Sequence, residues 1–335
     1  MMAKKIKLFL ALTAFAALVM ATGIGQAQTI TIEMAGTSLG PEHSFQRVAK
    51  DLIDEVDKAS GGKIKLINQL SGVHGSEREI VEAVALGTLK NSWSSDLGYA
   101  TIDPSIGFVN LPYLLPTYEM VDKYYFNGFL GQEFEKRALA KGLRVVCWME
   151  NDFRNLTNSR RPITTMEDLK GLKIRVPPFP ILLSYFKKLG TLPTPMAITE
   201  LLTGLQQKTV DGQDNGVILT YAYGLYQPQK YYTTTNHMYS GCPIFFNEKF
   251  WQSLSPEHQK ILSTAFKRAA ARQVAMNRAD VAKFKKKMQE SGIVFAELTP
   301  QTQAEFKKIA REVWQEFESK YDKNIMQRIY KELGK

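Results

Sequence analysis

Cysteine and histidine are scarce in this 335-residue chain. Its two cysteines, Cys147 and Cys242, lie far apart, and its four histidines, His43, His74, His237 and His258, show no ligand-like spacing. A disulfide scaffold is therefore not indicated, and neither a metal nor another cofactor is expected. Both cysteines sit in apolar, strand-like stretches, where buried thiols and a bridge are both open readings. H-E-x-x-H and a glycine-rich phosphate loop are missing, no nucleophile elbow is expected, and neither cysteine has a histidine at motif spacing. An exported enzyme is thus the weaker reading. No Lys/Arg stripe is interleaved with aromatics, so nucleic acid is not an expected partner. Past the N-terminal segment no apolar run is long enough to span a bilayer.

What is present begins with an export signal. Lys4, Lys5 and Lys7 precede an apolar run from Leu8 to Met20, and Gly25-Gln26-Ala27 supplies small residues for cleavage. This reads as a signal peptide over residues 1–27. The run is short for roughly 30 Å of hydrocarbon, which disfavours a membrane anchor, and no cysteine follows to take a lipid. Cleavage leaves enough chain for two domains. The formal charge of +10 includes the three leader lysines, so the mature chain carries +7. Such a charge suits an anionic ligand, an acidic partner surface or a generic basic surface.

Residues 29–34 alternate as a strand, 45–59 carry a helical apolar stripe closed by Gly61 and Gly62, and 64–70 form a second strand. Strand, helix, strand in this length predicts a βαβ unit and a parallel sheet, hence an α/β fold. A helix follows over 76–86, a strand over 89–93, a polar loop over 94–104 and a short strand over 107–111. Helices are expected over 118–125 and 131–141, with a strand over 143–148. Beyond a second region, residues 235–246 read as one long strand that could run between domains. The helix from Pro256 to Gln289 has Ser255 as N-cap and Pro256 in its first turn. At 1.5 Å per residue it would be about 50 Å long, enough to serve as a backbone across two domains. A short strand over 294–298 and a helix over 303–321 close the pattern.

The stretch Asn151–Pro180 organises the rest. Leu172, Ile174 and Val176 alternate with Lys173 and Arg175, and Pro177 stops the strand. Arg175 therefore projects from a strand near its end, where open α/β sheets bind small ligands. A guanidinium there points to an anion, most simply a carboxylate held by two parallel hydrogen bonds.

Several segments carry a resemblance: LKGLKIRVP (169–177), PTPMAITE (193–200), VDGQDN (210–215), TTTNH (233–237), LPY (111–113) and NDFRNLTNSRRPI (151–163). Together they resemble the DctP-type extracytoplasmic solute-binding proteins of TRAP (tripartite ATP-independent periplasmic) transporters, over about residues 30–321. The resemblance implies a two-domain periplasmic binding protein fold with a long domain-spanning helix. It also implies an organic-acid ligand, no catalysis, and delivery of the solute to TRAP membrane subunits by a protein that is not itself membrane-embedded. By the same resemblance Arg175 is the main carboxylate clamp, with Arg154 and Asn215 as further contacts. The segment Ser94–Asp96 and the loop around Glu42 and His43 contribute from the first domain. The turn QLSGVHGSERE departs from the family pattern by Val73-His74-Gly75, which brings Glu77 and Arg78 towards the cleft.

The residues themselves add Phe179 as a cover for the apolar side of a ligand, and Trp93, Tyr99, Tyr221 and Tyr223 as candidate walls. Asp96 and His43 complete the candidate set. For each, core packing is the competing reading. The expected first domain is residues 28–151 with 241–282, and the second is 152–240 with 283–335. Two functions remain beside solute delivery: presentation of the ligand to a membrane sensor, and the exported enzyme.

Overall fold

The computed structural model describes residues 29–334. The signal peptide and its cleavage site lie outside the described residues. The strands in chain order are β1 (Ile30–Gly36), β2 (Ile64–Gln69), β3 (Asn91–Trp93), β4 (Leu143–Asn158), β5 (Lys173–Val176), β6 (Leu192–Pro195), β7 (Gly212–Asn215), β8 (Tyr231–Asn247) and β9 (Val294–Glu297). They form one sheet in the order β2-β1-β3-β8-β4-β7-β5-β6, with β9 on β8. The pairing of β1 with β2 and β3 is parallel, as is that of β5 with β6 and β7. Between these two parallel halves lies the antiparallel pair β4–β8. With 16 and 17 residues, at about 3.3 Å per residue, both strands are long enough to belong to each half. The result is a mixed α/β fold of two domains.

The helix Pro256–Glu290 follows the same path. Ser255 caps it by accepting from the backbone N–H of His258, and Pro256 fills the first turn. Its buried face changes character along its length: Leu262, Ala265, Phe266 and Ala269, then Gln273, Asn277 and Asp280, then Phe284 and Met288. The first group packs with Ile32, Val48, Trp93, Cys147, Met149 and Cys242 in one core; Phe284 and Met288 pack with Ile218 and Tyr232 in another. Each buried large apolar side chain contributes about 1.5–3 kcal/mol. Both cysteines are free, buried thiols.

The polar middle of the helix meets β4 where it passes from one half to the other. Gln273 accepts from the backbone N–H of Glu150 and donates to its carbonyl, both at 2.9 Å. The Glu150 carboxylate, fully buried, accepts from Arg278 Nε at 2.9 Å and Tyr239 Oη at 3.0 Å. Arg278 also forks onto Asp122, and Tyr118 donates to Asp152 at 2.6 Å. The β4–β8 register shifts between Glu150 and Asp152, opposite Gly241 and Ser240, and Asp152 takes φ 100°, a conformation that costs a non-glycine residue about 1–3 kcal/mol. The domain breaks expected at 151/152 and 240/241 fall on this bulge, inside continuous strands rather than in linkers.

Several local expectations are corrected. Residues 107–111 are not a strand; Pro104–Asn110 form a 3-10 turn that Asp103 caps through Ser105, and Ile106, Phe108 and Val109 are buried without alternation. The expected loop after β3 contains a helix, Asp96–Ala100, capped by Ser95. Helix 118–125 is one α turn followed by a π-helical stretch, Val121–Phe126. The strand expected over 143–148 runs on to Asn158 as β4. The helix Val217–Ala222, strand β6 and the closing helix Lys323–Leu333 were not expected.

Candidate functional site

A cavity of about 190 Å³ lies between the two parallel halves. The first half supplies Thr37 and Ser38 beyond β1, Ser76, Glu77 and Arg78 at the start of helix Glu77–Leu86, and Trp93, Ser95 and Gly98 beyond β3. The second supplies Arg175 from β5, Pro177 and Pro178 after it, Asn215 from β7, and Ile198, Leu219 and Tyr223. Asn151 and Arg154 come from β4, which serves both.

Arg175 is placed by strand alternation. Ile174 and Val176 point into the core, so Arg175 points the other way, towards the cavity. It is 2% exposed. Its Nε donates to the carbonyl of Met196 at 2.9 Å, and among the described residues it has no salt bridge. Burial lowers its pKa to about 10, with Asp214 opposing and Arg154 reinforcing the shift. It therefore stays charged at neutral pH, as a desolvated cation without a counter-ion, an arrangement that an anion would relieve.

Arg154 differs. It is 4% exposed, donates from Nε to Asp214 Oδ2 at 2.7 Å and from Nη2 to the Asp214 carbonyl at 2.5 Å. Burial works against ionisation of Asp214, yet the charge of Arg154 and the bonds from His237 and Arg154 outweigh it and hold the carboxyl below its ordinary range. His237, whose pKa burial lowers, lies 3.4 Å from Asp214 Oδ2 through Nε2 and 2.8 Å from Thr235 Oγ1 through Nδ1. Asn215 donates to Gln213 Oε1 at 2.5 Å, and Gln213 donates to Thr157 at 2.9 Å. The Asn215 amide is thus anchored from behind while it lines the cavity. Trp93 presents a ring fixed by its bond to Asn91 Oδ1 at 2.9 Å and by packing on Phe45 and Phe266.

The cavity thus brings together Arg175, Arg154, Asn215 and Trp93, with Tyr223, Glu77 and Arg78. The other sequence candidates stand elsewhere. His43 accepts from the Phe45 backbone N–H at 3.2 Å and packs against Phe45 and Tyr223; burial, then Arg47, lowers its pKa to about 3, so it is neutral. Asp96 is a buried junction that accepts from Tyr125 Oη, Ser240 Oγ and the Gly241 N–H, each at 2.8 Å. Tyr99 bonds Asp103 and packs on Phe134 and Phe245. Phe179 is buried at the start of helix Pro180–Lys188, and Tyr221 stacks on Tyr226 and Phe284. None of these five lines the cavity. Phe45 and Leu219 do, and were missed. Phe45 reads as the first core position of a helix, and Leu219 lies in the unexpected helix.

Two further features shape the site. Tyr223 donates to the Thr37 carbonyl at 2.5 Å, a bond across the cleft. Gly40, at φ 85°, sits against the Ala222 carbonyl so closely that a Cβ would lie 2.2 Å from its oxygen. The stretch Gly36–Gly40, GTSLG, does carry the letters G-x-S-x-G, and Ser38 lines the cavity. It is not a nucleophile elbow. Ser38 is buried beside Tyr223, and among the described residues no histidine hydrogen-bonds its hydroxyl. No cluster of three or more metal-ligating side chains occurs among the described residues, and no helix among them is long and apolar enough to cross a membrane.

Comparison with known proteins matches residues 35–320 to the model of a family described as bacterial extracellular solute-binding protein, family 7 (DctP). A solute-binding protein of Verminephrobacter eiseniae is 36% identical over 241 residues, 72% of this chain and 70% of that one. The crystal structure of the sugar acid binding protein DctPAm of Advenella mimigardefordensis, in complex with galactonate, superposes with a TM-score of 0.86 at 27% identity, covering 92% of this chain and 98% of that one. A TRAP periplasmic solute binding protein of Polaromonas sp. JS666 bound to D-erythronate gives 0.82 at 30%, covering 90% and 97%. With its family model matched over most of its length, the chain belongs to the DctP family of TRAP-transporter solute-binding proteins, a family that binds solutes and does not transform them.

Proposed function

We propose that this protein captures a small organic acid outside the cytoplasm, in the periplasm, and delivers it to TRAP membrane subunits. The observation that carries the reading is Arg175, a buried guanidinium that lines the cavity and has no carboxylate partner. A carboxylate on its free edge gains charge-assisted bonds and relieves the desolvated cation. Arg154, held by Asp214, adds fixed positive charge beside it; Asn215 supplies an anchored amide, and Trp93 an apolar wall. His43 packs against Tyr223, one of the side chains that line the cavity. The relatives bound to galactonate and D-erythronate, both acids, support the same ligand class.

In this reading the leader of residues 1–27 directs export. The two domains are 28–151 with 241–282 and 152–240 with 283–335. They close over the ligand by bending at the β4–β8 bulge, with the long helix as spine. Closure excludes water and strengthens every polar contact inside. A thermal-shift screen of organic acids, followed by calorimetry, tests the proposal. A carboxylate that raises Tm and loses its affinity in Arg175→Ala supports it. A tight ligand without an anionic group overturns it.

A further inference from the structure

Charge pairing inside the cavity is uneven, and the imbalance speaks to the far end of the ligand. Of the three arginines lining it, Arg154 is matched by Asp214 at 2.7 Å, and Arg78, on the exposed rim, is matched by Glu82 at 2.9 Å. Arg175 and Glu77 remain as the two poles, one from each half. The charge of Glu77 acts on Arg175.

Glu77 is held in place. Its Oε1 accepts from the Ser95 N–H at 2.7 Å and its Oε2 from the Ser95 hydroxyl at 2.8 Å. Gly98 lies directly against it: a Cβ at 98 would come within 2.8 Å of the Glu77 Cβ. The lack of a side chain at 98 is what lets this carboxylate lie across the turn after β3. Two accepted bonds leave about two of its roughly four lone-pair sites free. Ser38, Ser76 and Ser95 line the same cavity; the hydroxyls of Ser95 and Ser76 already donate to Glu77 and Glu79, so what they keep for a ligand is an acceptor site.

We propose that the ligand is a polyhydroxy monocarboxylic acid, its carboxylate on Arg175 and its distal hydroxyls on Glu77 and the surrounding serines, and that Glu77 excludes diacids. The inference rests on the carboxylate reading of Arg175 and extends it. A second carboxylate at the far end would face Glu77 while the other two cavity arginines, Arg154 and Arg78, are already paired, and like charges in a water-poor site repel strongly. The serine oxygens accept from a ligand hydroxyl, and a hydroxyl reaches Glu77 with no charge to strip of water, whereas an ammonium must first be desolvated.

The test uses pairs that differ only at the far end: D-erythronate against meso-tartrate, and galactonate against galactarate, with 4-aminobutyrate as the ammonium probe. Calorimetry on the wild-type protein is expected to favour at least one aldonate over its diacid by tenfold or more, and over 4-aminobutyrate. Glu77→Gln, nearly isosteric and checked for folding by circular dichroism, is expected to narrow the aldonate-to-diacid ratio by tenfold or more. Arg175→Ala is expected to lose all of them. Diacids binding as tightly as aldonates, or 4-aminobutyrate binding tighter, overturns the inference and leaves the carboxylate reading standing. An unchanged ratio in folded Glu77→Gln removes the role of Glu77. Binding of these probes that survives Arg175→Ala, or binding only of uncharged solutes, sinks the carboxylate reading itself.

Discussion

Two buried charged clusters, one around Glu150 on β4 and one around Arg175 on β5, are built in opposite ways. Around Glu150 each charged side chain has a hydrogen-bond partner within the protein: Arg278 bonds both Glu150 and Asp122, Tyr239 caps Glu150, and Tyr118 caps Asp152. Around Arg175 the protein leaves a guanidinium with one carbonyl bond and a cavity in front of it. Burying either kind of group is costly, and the cost is met internally in the first cluster and left for a ligand in the second. Buried charge alone therefore does not mark a binding site. An unanswered buried charge beside a cavity does.

The sharpest way to break this comparison is to remove each arginine in turn. Arg175→Ala or Arg175→Lys is expected to cost at least about 100-fold in affinity while Tm of the ligand-free protein stays level or rises, because an unmatched buried cation has gone; calorimetry and a melting curve read both. Arg278→Ala should do the reverse. It strands Glu150 without its cation and destabilises the fold by about 2 kcal/mol or more, discounted for the partial exposure of Arg278, while the folded fraction still binds. If both variants lose affinity and stability alike, the two clusters are not different in kind.

A pH series sharpens the first cluster. Burial, with the charge of Asp152 second, pushes Glu150 up to about 7 from 4.5. Between those values the folded state keeps a proton that the unfolded chain has released, so this group's contribution to stability falls as pH rises through that window. Asp152, raised to about 6 by burial, adds in the same direction. Glu150→Gln is expected to flatten the fall in denaturant-measured stability between about pH 4.5 and 7, by an amount on the order of 1–3 kcal/mol; parallel profiles would contradict it. The smallest effect belongs to the bond across the cleft. Tyr223→Phe loses one neutral hydrogen bond, about 0.5–1.5 kcal/mol, and is expected to speed ligand release by up to about tenfold in stopped-flow fluorescence without shifting which acids bind.

How much of this could be read from the sequence follows from the range of the forces involved. Arg175 was legible because strand alternation and the Pro177 stop are local. The long helix was legible because its cap and stripe are local too. Arg154 was legible as a residue near the site, but its capture by Asp214 depends on strand β7 pairing with β4, 60 residues away. His43 and Asp96 are polar residues in the right loops whose partners, the Phe45 N–H and the far strand β8, turn them inwards. The helix Val217–Ala222 was hidden because its aromatic neighbours look like a loop, and β6 because prolines at 193 and 195 are tolerated at the edge of a sheet.

The central claim is that the Arg175 guanidinium is the acid's counter-ion, and a crystal structure of the liganded protein tests it most directly. The account predicts the ligand carboxylate paired with Arg175 through two nitrogen–oxygen contacts of about 2.7–2.9 Å. A carboxylate bound elsewhere in the cavity, with Arg175 still bonded to Met196 alone, would contradict it.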